Sequence, residues 1–154
     1  MCYFLGLNKW HRDFARKFAD TTGLKLTALP HLDHYTPYDE GYADELLYNV
    51  SPEDFINLVK NADYVLTDSF HGTMFSLNYN KPFFTFRRFS GKASNSTNTR
   101  IESLANRLGI HSRLVSESDS PDDLLARTHA PDIAQSLSDF RDSSLAFLAN
   151  ALEA

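Results

Sequence analysis

The sequence predicts an α/β fold, a parallel sheet with helices on both faces. Three observations carry this. Short apolar or β-branched runs alternate along the chain with segments of helical period. The first three such segments read strand, helix, strand, which favours parallel pairing through a right-handed crossover. The 154 residues are 42% hydrophobic and 13% aromatic, with 12 Phe and 7 Tyr, which is enough bulk to fill one core across residues 1–154 and too little for two.

Residues 2–7 form a short apolar run consistent with a buried strand. In residues 9–22, Trp10, Phe14 and Phe18 recur at helical spacing with Ala15 and Ala19, and Gly23 terminates the helix. Residues 24–29 alternate Leu24, Leu26 and Ala28 against Lys25 and Thr27 and stop at Pro30, a second strand. Residues 30–50 are acidic and tyrosine-rich, and Pro37 and Gly41 break any period, so this stretch reads as a long surface loop. Ser51-Pro52-Glu53-Asp54 opens a helix with a cap, a proline at the first position and acids in the first turn, and that helix runs to about Asn61.

Tyr64-Val65-Leu66-Thr67 is a buried strand, and an apolar helix follows from Thr73 to Tyr79. Asn80-Lys81-Pro82 stops it, and Phe83-Phe84-Thr85-Phe86 makes the next strand. After a polar loop over residues 87–98, a helix from about Thr99 to Leu108 places Ile101, Leu104, Ala105 and Leu108 on one face. Residues 113–115 form a last short strand, Pro121 to Arg127 a turn or two of helix, and Asp132 to Leu152 a long amphipathic helix. The count is four or five strands.

Composition excludes several classes. A net charge of −5 argues against general nucleic-acid affinity. No apolar run approaches the roughly 18 to 20 residues of a membrane helix. The start lacks a basic n-region and a cleavage site, so the expectation is a cytoplasmic protein with at most peripheral membrane association. One cysteine, Cys2, excludes an internal disulfide framework and has no basic neighbour to activate it.

The charge is unevenly placed. Asp33, Asp39, Glu40, Asp44, Glu45, Glu53 and Asp54 fall in a stretch without Lys or Arg. Between Asp68 and Glu102 there is no acid, but Lys81, Arg87, Arg88, Lys92, Arg100 and His71 lie there. A local basic segment in an acidic protein attracts a small anion without binding polyanions everywhere; the plainer reading is a solvated loop kept soluble by its charges.

Open parallel sheets bind ligands beyond the carboxyl ends of their strands, and Thr67-Asp68-Ser69-Phe70-His71-Gly72-Thr73 is such a strand end. Gly72 would let a ligand approach backbone N–H groups at a helix start, and His71 could move a proton or, when charged, pair with an anion. The competing reading makes Asp68 or Ser69 a cap and His71 a satisfied partner. His31-Leu32-Asp33-His34 holds two imidazoles and a carboxylate, a thin basis for a metal site, and no metal is expected.

The run Ala62-Asp63-Tyr64-Val65-Leu66-Thr67-Asp68-Ser69-Phe70-His71-Gly72-Thr73, with Phe75-Ser76 and Asn80-Lys81-Pro82-Phe83 after it, resembles the central motif of the polysaccharide pyruvyl transferase family. The likeness continues through Phe86-Arg87-Arg88-Phe89, Asn95-Ser96 and Arg100-Ile101-Glu102-Ser103-Leu104 to about Arg113. It is close over residues 50 to 115 and extends to the flanks only in layout.

The resemblance implies transfer of pyruvate from phosphoenolpyruvate to two hydroxyls of a sugar, giving a ketal, in cell-surface or exopolysaccharide synthesis. It implies a Rossmann-like domain similar to one half of a glycosyltransferase-B-type fold. This chain would be the C-terminal half, its N-terminal half absent, and inactive alone. No cofactor is implied beyond phosphoenolpyruvate as donor substrate. His71 would take proton transfer or phosphate contact, and Gly72 and Thr73 would donate N–H groups. Arg87, Arg88 and Arg100 would hold the anionic donor, with Ser69 and Asn95 in the substrate site. Several family members carry arginine where Ser69 stands, which shifts anion binding towards Arg87 or Arg100.

Two further readings remain open at this level, since fold does not choose function. One is a non-catalytic anion-binding module. The other is the donor-binding half of a nucleotide-sugar glycosyltransferase, for which Glu117 and Asp119 are the candidate ribose-binding acids. Separation from a partner half would expose apolar surface, so self-association through the cleft face or the C-terminal helix is expected.

Overall fold

The computed structural model describes residues 1–31, 35–89, 96–127 and 133–153. Among these residues six strands form one all-parallel sheet: β1 (Cys2–Tyr3), β2 (Thr27–Leu29), β3 (Glu45–Leu46), β4 (Val65–Thr67), β5 (Phe83–Phe86) and β6 (Leu114–Val115). Their spatial order is β3-β2-β1-β4-β5-β6, the Rossmann order, in which the chain first winds outward from β1 and then crosses back to β4. Register is continuous across the reversal, with Cys2 and Tyr3 opposite Ala28 and Leu29 on one side and opposite Leu66 and Thr67 on the other.

Among the described residues six helices flank the sheet: α1 (Lys9–Thr22), α2 (Pro52–Asn61), α3 (Phe70–Asn78), α4 (Ser96–Leu108), α5 (Pro121–Arg127) and α6 (Ala134–Glu153). Two hydrophobic clusters follow from the alternation of side chains along each strand. Cys2, Leu66, Phe84, Phe86 and Val115 point to the face covered by α1 and α5, where Phe14, Phe18 and Leu124 are buried. Val65, Phe83 and Leu114 point to the other, where Val59, Leu77, Ile101, Leu104 and Leu108 come from α2, α3 and α4.

The sixth strand corrects the expected count of four or five. It lies inside the stretch read as a loop, which also holds a 3-10 turn at Pro37–Asp39. A two-residue strand carries no legible period. β3 is held instead by backbone bonds from Glu45 to Leu26 and from Leu47 to Ala28. Side-chain carboxylates also compete for the backbone N–H groups beside the first two strands. Leu26 gives its N–H to Asp44 Oδ2 at 2.7 Å, and Leu5 and Gly6 turn theirs to Asp68.

α2 begins as its sequence dictates, with a reciprocal capping box between Ser51 and Asp54 and proline at the first position. α3 starts three residues earlier than expected, because Ser69 caps it. α4 likewise starts at Ser96 rather than Thr99. α6 buries Leu137 against the body, then leaves Leu145, Phe147, Leu148 and Leu152 exposed. Among the described residues no helix is long and apolar enough to cross a membrane.

Candidate functional site

The strand order reverses between β1 and β4, and ligands of such sheets sit in the crevice beyond the carboxyl ends of those two strands. Two loops define this crevice here: residues 4–8 after β1, and Asp68-Ser69 after β4.

The inner part of the crevice is a polar knot. Asp68 is fully buried, and its carboxylate accepts from the Leu5 N–H at 2.7 Å and the Gly6 N–H at 2.8 Å. Arg88 donates to the Asp68 carbonyl at 3.1 Å and holds its Nε 3.6 Å from Oδ1, a charge contact rather than a hydrogen bond. Burial pushes the Asp68 pKa up. The His11 ring, the two N–H donors and the Arg88 charge outweigh it, so the net direction is down and the group is ionised.

His11 is also fully buried, its Nδ1 3.6 Å from Asp68 Oδ2, and neither ring nitrogen has a hydrogen-bond partner among the described residues. Phe4, Trp10 and Phe86 surround it. Below the knot, Arg12 donates from Nε to Asp39 Oδ1 at 2.7 Å and from Nη1 to the Gly6 carbonyl. Asn8 ties the Arg88 carbonyl to the same loop at 2.6 Å. Gly6 is required by close approach, since a Cβ there would lie 2.7 Å from Asp68 Oδ2 and 2.8 Å from Arg88 Cγ.

The knot has a chemical consequence. Backbone N–H groups between the first strand and helix are a ready anion site in this fold. Here the Leu5 and Gly6 donors are already filled by the protein's own carboxylate.

The outer part of the crevice is the first turn of α3. His71 is exposed there. Its ring lies 6.0 Å from that of Phe70, and the Arg100 guanidinium from α4 sits over the same Phe70 ring at 5.4 Å. The structure thus brings both His71 and Arg100 to one aromatic ring. Arg87 is exposed and forms an ion pair with Glu102, on the same helix as Arg100, at 2.7 Å. Arg87 and Arg88, adjacent in sequence, therefore diverge, one to the outer rim and one into the knot.

The remaining expected contact residues turn inward. Ser69 is buried and accepts from the Gly72 N–H at 3.4 Å, while the Thr73 N–H bonds the Ser69 carbonyl. Those donors were expected to face a ligand, but the helix's own first turn consumes them. Thr73 Oγ1 pairs with Thr85 Oγ1 at 2.8 Å. Gly72 is required by packing, because a Cβ would meet Thr67 Oγ1 at 2.6 Å. Asn95 lies outside the described residues, as do Asp33 and His34 beside His31.

Asp119 is occupied by Arg127 and the Ser116 N–H. Burial pushes the Cys2 thiol up to about 12, leaving it unreactive. Among the described residues no three His, Cys, Asp or Glu side chains group as metal ligands.

Sequence reading missed Gly6, His11, Arg12 and Asp39. His11 and Arg12 did carry a signal, for they fall on the same helical face as Ala15, Phe18 and Ala19 and so had to be buried with partners. Nothing in the sequence marked Asp39 as Arg12's partner.

A family model described as polysaccharide pyruvyl transferase matches residues 1–88, from β1 through Arg88. The chain belongs to the polysaccharide pyruvyl transferase family. The match begins at the first residue rather than near 50 and ends before α4, so it takes in the whole inner knot and leaves Arg100 outside. No curated protein matches the chain.

Proposed function

We propose that this member of the polysaccharide pyruvyl transferase family binds phosphoenolpyruvate at the outer crevice and transfers its pyruvate to two hydroxyls of a sugar. The observation that carries the reading is the exposed His71 at the head of α3, grouped with Arg100 around Phe70. The basic segment ends at this same place, with Arg87 on the rim.

The chemistry asks for what this group offers. A proton adds to the methylene carbon of phosphoenolpyruvate, and one sugar hydroxyl adds to the neighbouring carbon and loses its proton. The second hydroxyl then displaces phosphate at that carbon, closing the ketal. His71 is the group that moves a proton or steadies the phosphate, and Arg87 and Arg100 hold the donor's anionic groups. Arg88, spent on Asp68, serves by fixing the loop rather than by touching donor. Ser69, Gly72 and Thr73 set the start of α3 and so aim His71. The reading includes a second, N-terminal half across the crevice that would complete the enzyme.

A nucleotide-sugar donor finds less support. Its pyrophosphate would want the N–H pair of the first loop, which Asp68 fills.

Calorimetric titration of the chain with phosphoenolpyruvate, beside His71→Ala and Arg100→Ala, tests the proposal. Saturable binding in the parent chain, weakened at least tenfold in both variants, is expected. Equal binding in all three, or binding of a UDP-sugar in place of phosphoenolpyruvate, contradicts it.

A further inference from the structure

A second concavity lies beside the crevice. Its volume is about 430 Å³, within the range of small-molecule sites, roughly 300–1,000 Å³. It opens at the carboxyl ends of β1 and β2, beside the start of α2, and is lined as well by Leu47, Tyr48 and Val50 after β3. One wall is a run of aromatic rings: Tyr3 and Phe55 meet edge to face at 5.0 Å, and Phe55 and Phe75 at 5.7 Å. All three are only half-buried, although they rise from a strand and two helices of the core layer. Tyr48 and His31 add polar groups at the lining.

Two features decide what fits. No Lys, Arg, Asp or Glu lines the cavity among the described residues, although the neighbouring stretch is rich in acid. Three of those acids are paired elsewhere: Asp39 to Arg12, Asp44 to Arg16, Glu45 to Lys25. A charged ligand would find no Lys, Arg, Asp or Glu to offset its desolvation there, a cost that a neutral ligand avoids. The wall offers flat apolar faces beside a few polar groups, which matches a ring with C–H faces and a hydroxyl rim.

The cavity is also joined to the crevice. Phe75 stands one helical turn after His71 on the same face of α3, and Leu5, whose N–H binds Asp68, lines the cavity too.

We infer that this cavity holds a neutral pyranose ring of the sugar acceptor, stacked on Tyr3, Phe55 and Phe75, with its reacting hydroxyls directed to His71. The inference rests on the pyruvyl-transfer reading for the identity of the ring as acceptor. Its binding site stands on the cavity itself. Separate sites for a neutral acceptor and an anionic donor follow from the division of charge: Arg87 and Arg100 gather at the outer turn of α3, and among the described residues no Lys or Arg lines the cavity.

Saturation-transfer NMR with the methyl glycosides of glucose, galactose and mannose tests it, on the full chain and on Phe75→Leu and Phe55→Leu. These variants keep apolar bulk and remove the ring face, and circular dichroism checks that each is folded. At least one glycoside is expected to titrate saturably through its ring C–H protons and to weaken roughly tenfold in the folded variants. No titration by any of the three, or the same affinity in both variants, overturns the inference. Uridine or adenosine titrating in the cavity in place of the glycosides overturns it in favour of a nucleobase pocket. Glycoside binding without phosphoenolpyruvate binding would keep the cavity as a sugar site and discard the transferase reading. Phosphoenolpyruvate binding without glycoside binding would do the reverse.

Discussion

The crevice contains two groupings of histidine, arginine and a partner, and they differ in what their charges do. In the inner knot, His11 and Asp68 are buried and Arg88 is half-buried, and both His11 and Arg88 lie 3.6 Å from the Asp68 carboxylate, which also satisfies two N–H groups of the first loop. At the outer turn, His71, Arg87 and Arg100 are exposed, and Arg87 holds the Glu102 carboxylate at the rim. Burial with partners converts ionisable groups into scaffold. Exposure on a rigid helix end leaves them able to change partner, as donor binding and release require.

The largest effect expected from breaking this contrast is in the knot. Asp68→Ala leaves two N–H groups without their acceptor and Arg88 without its carboxylate charge partner, and the loss of stability should be about 3–5 kcal/mol by urea denaturation. A loss below about 1 kcal/mol would mean that the knot is not the scaffold described.

Next comes close packing behind the outer turn. Gly72→Ala forces a Cβ to 2.6 Å from Thr67 Oγ1 and should cost about 1–3 kcal/mol. The double variant with Thr67→Ala should cost less than the sum of its parts, since it removes the clashing atoms. Additive losses would place the strain elsewhere.

Acid sharpens the comparison further. The folded pKa of Asp68 lies below its unfolded value, so its contribution is fully present above the ordinary carboxylate range and fades as pH falls through the lowered value. Stability measured from neutral pH downward should fall, and in Asp68→Asn that part of the slope should be missing. The same slope in both proteins would assign acid sensitivity to other carboxylates.

The smallest effects belong to the outer turn. Arg87→Ala removes an exposed ion pair and should cost about 0–1 kcal/mol. His71→Ala, with its ring in solvent, should stay within about 0.5 kcal/mol. A large loss at either position would make these residues scaffold as well.

How much of this was legible in sequence depended on whether the signal was local. The α2 start was written out in Ser51, Pro52 and Asp54, and α1 in its aromatic spacing, because caps and helical period act within a few residues. Strand β3 was not, since two residues have no period and its partners lie nearly twenty residues back. The site divided the same way. His71 was visible as a histidine at a strand-to-helix turn. That Arg88 and not Arg87 would be drawn inward depended on Asp68, twenty residues away, and on a loop sixty residues further upstream. Adjacent arginines on a loop have no pattern that separates them.

The most direct test observes both histidines at once. Ring ¹H–¹⁵N spectra of the chain, with His71 and His11 assigned by substitution, would be followed as phosphoenolpyruvate is added. His71 signals are expected to move saturably while those of His11 stay in place. Movement of His11 with His71 silent would put the donor in the inner knot and contradict the division on which the proposed function stands.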